Sequence, residues 1–153
     1  MPSSTTATGP QTQTHADEMF DAVFEQSPHF RIEMSYEDAQ HFIRRIDEYN
    51  DFRWVDVLSA LDRVDRLIPR RFYGKGNPNN GQRSYEISVG REGSPVVYLE
   101  RHEWRDMDRL SDDRLRLICQ EMEQTGAADE ASFKVQPTMF GDSRKVTFRF
   151  WWD

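Results

Sequence analysis

Apolar residues recur at helical spacing from the first third of the chain: Met19, Phe20, Val23 and Phe24 form an i, i+1, i+4, i+5 stripe, the pattern of a short helix with one buried side. Thr14, three residues before Asp17, predicts its N-cap, and Pro28 predicts its end. Phe30, Ile32 and Met34 then alternate with Arg31 and Glu33, which predicts a strand with one buried face. Ser35 with Asp38 predicts a second cap, followed by a helix carrying Tyr36, Ala39, Phe42, Ile43, Ile46 and Tyr49 on one face. After a break near Asn50 and Asp51, Trp54, Val57, Leu58, Leu61, Val64 and Ile68 mark a third helix, stopped by Pro69. These two helices are expected to form one crossover unit.

Gly74 to Gly81 reads GKGNPNNG, a run of turn-formers that predicts a loop. Tyr85, Ile87 and Val89 alternate with polar neighbours, and a turn over Gly90 to Ser94 leads to Val96, Val97, Tyr98 and Leu99, so a hairpin is expected. Its second strand is apolar on both sides, as an interior strand would be. Ser111 caps a helix carrying Leu115, Ile118, Cys119 and Met122, with Gly126 placed to end it. Two strands close the chain: Phe133 and Val135, then, past a turn at Gly141 to Arg144, Val146, Phe148, Phe150 and Trp152.

Without its first helix and last strand this order is βαββαβ, the split, ferredoxin-like arrangement. The expected fold is therefore α+β: two layers, an antiparallel sheet of four to five strands with helices on one face, plus an extra N-terminal helix and C-terminal strand. The free sheet face would need cover from the first helix or from a partner. The aromatic last strand is expected as a sheet edge able to accept another chain. The order resembles that of the RNA-recognition motif. Where that family carries an aromatic-rich K/R-G-F/Y pattern on its third core strand, this chain has SPVVYLER, with Tyr98 as its one aromatic residue.

Residues 1–14 are polar and offer no large apolar side chain after Met1. They are expected to form a tail that is disordered alone or bound to a partner, ahead of a single domain over 15–153. At 153 residues, with 37% hydrophobic and 31% charged residues, the chain can build one modest core. No window is apolar enough for a membrane span and the N-terminus lacks the order of a secretory signal. The cytoplasm, or a particle assembled there, is the expected location, with no membrane partner. Lys plus Arg total 20 against 27 Asp plus Glu, a net charge of −7. Any nucleic-acid contact would thus need a local basic patch.

The best such patch runs from Arg63 through Arg66, Arg70, Arg71 and Lys75 to Arg83, interleaved with Phe72 and Tyr73. Guanidinium groups grip phosphate bidentately, and aromatic rings stack on bases. The segment is not a Walker A loop, because no Ser or Thr follows Lys75. The bland alternative is that Arg63 and Arg66 pair with Asp62 and Asp65 on a solvated helix. A second basic surface places Lys134, Gln136 and Thr138 beside Lys145, Thr147, Arg149 and an outward Trp151 on the last hairpin.

Catalytic signals are sparse. His15, His29 and His41 read as surface residues. His102 begins HEWRDMD, which brings Glu103, Asp106 and Asp108 close, but the spacing is not that of a metalloprotease, and Arg101, Arg105 and Arg109 suggest ion pairs. The lone Cys119 lies in an apolar stripe, where a cysteine is usually an inert small hydrophobe. No nucleophile elbow, dinucleotide fingerprint or paired-cysteine motif occurs. No cofactor is expected. The leading expectation is a non-enzymatic protein-interaction or structural subunit of a larger assembly, such as a viral particle or mobile-element accessory complex, whose partner is a protein or a second copy. The alternative is a nucleic-acid-binding protein using Arg63 to Arg83. Across both, Arg66, Arg70, Arg71, Lys75, Arg83, Lys145, Arg149 and Trp151 are the candidate partner- or anion-binding residues. A third expectation, an enzyme built on His102 with Glu103 or Asp106, ranks below them.

Overall fold

The computed structural model describes residues 14–104 and 109–153. The expected polar tail lies outside them except for Thr14, as do Arg105, Asp106 and Asp108. The elements are α1 (His15–Val23), β1 (His29–Met34), α2 (Tyr36–Ile46), β2 (Glu48–Tyr49), β3 (Phe52–Arg53), α3 (Trp54–Leu67), β4 (Glu86–Glu92), β5 (Ser94–Glu103), α4 (Asp112–Gln124), β6 (Glu130–Pro137) and β7 (Arg144–Trp151). The fold is α+β: among the described residues it has four helices, a five-stranded antiparallel sheet in the order β1-β4-β5-β7-β6, and a small β2-β3 pair.

Local chemistry sets the helix starts. Thr14 and Asp17 form a reciprocal capping box on α1. The Ser35 and Ser111 hydroxyls each accept a backbone N–H at 3.1 Å to open α2 and α4. α2 stops earlier than its apolar stripe suggested. Asp47 adopts a left-handed φ of 63°, and Glu48–Tyr49 pairs with Phe52–Arg53 across a turn at Asn50. Tyr49 is therefore a strand residue. The expected Gly90 to Ser94 turn shrinks to Gly93, whose φ of 75° joins Glu92 directly to Ser94. α4 ends without help from a left-handed Gly126; Ala127 takes that conformation instead. Gly126 serves packing, since a Cβ there would meet the Met122 carbonyl oxygen and Ala60.

The interleaved strand order expected of the split arrangement is realised only in the second half. Between β1 and β4 the chain passes through two helices rather than one. It returns to the end it left, so β4 runs antiparallel to β1 and pairs with it directly. A single helix, α4, joins β5 to β6, and β7 enters between those two strands. The last strand is consequently interior, and the edges are β1 and β6. The expectation that β7 forms an edge fails because its alternating Val146, Phe148, Phe150 and the following Trp152 are all fully buried, which an interior position permits.

The core lies between the sheet and the helix layer. Phe20, Phe24, Phe30 and Phe42 interlock at centroid separations of 4.9 to 6.2 Å, and Phe52 meets Trp152 edge-on at 5.1 Å. Through Phe20 and Phe24, α1 belongs to this layer and leaves the opposite sheet face uncovered. That face is closed by its own charges. Glu100 pairs with Arg31 at 2.7 Å and Lys145 at 3.4 Å, while Arg149 pairs with Glu92 at 3.3 Å and Glu130 at 3.1 Å. β5 is the central strand, in agreement with its two-sided apolar pattern. No helix among the described residues is long and apolar enough to cross a membrane.

Candidate functional site

Three connections converge at one end of the sheet: residues 68–85 between α3 and β4, the segment following β5, and the β6–β7 turn. Two buried carboxylates hold them there. Asp65, on the last turns of α3, accepts hydrogen bonds from Arg70 and Arg83 at 3.0 Å each and from the Tyr85 hydroxyl at 2.6 Å. Burial, reinforced by that carboxylate, pushes the Tyr85 phenol far above its ordinary range. The Arg83 guanidinium also lies 3.7 Å over the Tyr36 ring. Glu103, with no exposed surface, accepts from Arg101 at 3.0 Å, Arg144 at 2.5 Å and the Leu110 backbone N–H at 2.8 Å. Arg101, Glu103 and Arg144 thus continue the helix-facing side of β5 and β7, replacing hydrocarbon with a closed ionic group at the end of the core.

Between these two anchors opens a cleft of about 550 Å³ whose walls include Arg70, Arg71, Phe72, Tyr73, Trp104 and Arg109. Its rim is apolar and solvent-facing: Phe72 is 75% exposed, Tyr73 58% and Trp104 52%, with Phe140 at 65% and Met139 at 88% on the adjoining turn. Trp104 lies 6.0 Å from the His102 ring and 6.2 Å from Phe140. Arg109 donates to the Asp142 carbonyl at 2.5 Å, tying the segment after β5 to the β6–β7 turn. Arg71 reaches the carbonyl oxygens of Ser84 and His102 at 3.4 and 3.3 Å. No carboxylate among the described residues neutralises it.

The basic residues singled out in the sequence separate into two groups. Arg66 pairs with Asp62, and Arg70 and Arg83 share Asp65. Arg63 reaches Glu121 at 4.0 Å instead of Asp62 or Asp65. Lys145 and Arg149 are engaged on the open sheet face, where the Trp151 indole donates to the Glu92 carbonyl at 3.2 Å beside Arg149. Trp151 therefore lies over the β4–β5 turn. Arg71 and Lys75 are the two candidates without a carboxylate partner among the described residues. The sequence reading passed over Trp104, Met139 and Phe140. A signal for the last two was present, because a Met-Phe pair inside a hairpin turn is unusual where polar residues normally stand.

No group of metal-ligating side chains gathers among the described residues. Burial pushes the Cys119 thiol up to about 11, which suits a packing residue and opposes thiolate chemistry. No protein-family model, curated protein or solved structure matches this chain.

Proposed function

We propose that the chain is a non-enzymatic interaction subunit of a larger assembly and that it docks a protein partner through its loop end. One observation carries this reading: Phe72, Tyr73, Trp104, Met139 and Phe140 come from three separate connections yet stand together, more than half exposed, beside arginines. Large aromatic residues and arginine dominate the energetics of interfaces, and monomers rarely leave such a group contiguous in water. The open sheet face is the weaker docking surface, since Arg31, Glu92, Glu100, Lys145 and Arg149 are already engaged in ion pairs there.

The test compares the tagged full chain with a Trp104→Ala/Phe140→Ala double variant in extracts of its native source. The wild type is expected to elute in a discrete complex well above 18.1 kDa, and the variant as free monomer with an unchanged melting temperature. A wild-type chain that elutes as a free monomer, or a complex unaffected by the double substitution, overturns the proposal.

The second reading, nucleic-acid binding along Arg63 to Arg83, draws support from Arg71 and, more weakly, from Arg70, which shares the single Asp65 carboxylate with Arg83, while Arg66 is engaged by Asp62. It requires binding that weakens with salt and a salt slope flattened by Arg70→Ala with Arg71→Ala.

A further inference from the structure

We propose that the cleft at the loop end is a binding site for a nucleoside phosphate, with the phosphate on Arg70 and Arg71 and the base among Phe72, Tyr73 and Trp104. This goes beyond protein docking and rests on the chemistry of the cleft itself. Its volume, about 550 Å³, falls in the range of small-molecule sites. One pole is cationic. Arg70 and Arg83 share the single carboxylate of Asp65, leaving that trio one positive charge in excess, and Arg71 binds only carbonyl oxygens through Nη2. Its Nε–H and Nη1–H groups have no partner among the described residues and point to different sides of the guanidinium, so each remains as a separate charged donor for a phosphate oxygen.

A phosphate monoester carries about −1.5 to −2 at neutral pH, which matches those two excess charges better than a lone carboxylate does. The other pole is aromatic. Three rings line the same cleft, and every nucleobase has a face on which such rings stack. A long polynucleotide fits less well, because the flanking Arg63, Arg66 and Arg83 are already turned to carboxylates and offer no continuing track. The ligand is therefore one nucleotide, either free or as the phosphorylated end of a strand.

The experiment titrates the purified full chain with AMP and UMP, read by saturation-transfer NMR on the ligand, alongside adenosine, inorganic phosphate and an oligonucleotide with and without a 5′-phosphate. AMP or UMP is expected to saturate, with adenosine and phosphate each at least about tenfold weaker, since each retains one pole. Arg71→Gln and Trp104→Ala each reduce nucleotide affinity about tenfold, while Arg116→Gln, outside the cleft lining and paired with Asp113, leaves it unchanged. Should Arg71→Gln fail to fold, Tyr73→Ala removes an exposed ring without touching the Ser84 or His102 carbonyls and lowers affinity in its place. An oligonucleotide that binds only when 5′-phosphorylated, and at least as tightly as AMP, assigns the strand end; weaker binding assigns the free nucleotide. No saturation by AMP or UMP up to about 10 mM, binding by inorganic phosphate as tight as by AMP, or undiminished binding in the folded variants overturns the proposal. None of these outcomes depends on the protein-docking reading, whose own test uses complex size.

Discussion

Glu103 shows how much one residue can hold. Its carboxylate is out of water and satisfied by Arg101, Arg144 and the Leu110 N–H, so it ties β5, β7 and the start of α4 together. Removing one partner of a buried ionic group leaves the others uncompensated, at a cost of about 3–5 kcal/mol. Glu103→Gln is expected to lose at least the lower part of that range, about 3 kcal/mol, from the unfolding free energy measured in urea. The exposed Arg66–Asp62 pair is the contrast, and Asp62→Ala should shift the same measurement by about 0.5 kcal/mol or less. Sequence context does not distinguish these carboxylates. Each stands beside arginines, and what buries Glu103 comes from Arg144, 41 residues away.

At the scale of elements, the β1–β4 pairing depends on Gly90. A Cβ there would run into the Phe30 carbonyl oxygen and crowd the backbone of Arg31. The obstacle is main chain and cannot swing aside. Gly90→Ala is therefore expected to lower stability by about 3 kcal/mol or more and to raise amide hydrogen exchange in β1 ahead of the other strands. The sequence reading had placed Gly90 in a turn, where an alanine would be a lesser disturbance. Helix starts were legible because a cap is decided within four residues, as at Thr14, Ser35 and Ser111. Helix ends were less so: Asp47 terminates α2 in a conformation that side-chain type alone does not announce.

For the whole molecule, the charged sheet face sets the response to acid. Burial alone would raise Glu92 and Glu100, but hydrogen bonds from Tyr98 and Arg149 to the first, and from Arg31 with the charge of Lys145 to the second, hold both below the usual carboxylate range. A carboxylate lowered in the folded state stabilises above its unfolded pKa, about 4.3, and that contribution disappears as pH falls through the folded value. Urea midpoints should therefore hold between about pH 5 and 7 and drop toward pH 3. Glu33 works in the opposite sense. The neighbouring Glu86 charge raises its pKa, so its ionised form costs stability at neutral pH and the cost is relieved on acidification. Glu33→Gln should raise the urea midpoint slightly at pH 7, with the gain gone below about pH 4.

The amino-acid pattern alone determined the α+β class, the helix caps, the interior character of β5 and the alternation that aims Phe148, Phe150 and Trp152 inward, because each depends on periodicity or on neighbours within a few residues. Tertiary structure alone decided that β1 and β4 pair directly, that β7 slips between β5 and β6, and that Phe72 and Trp104 share one cleft with Phe140 beside Trp104. Those outcomes depend on how many helices return the chain between strands and on side chains tens of residues apart competing for the same buried carboxylates. Local spacing carries no record of either.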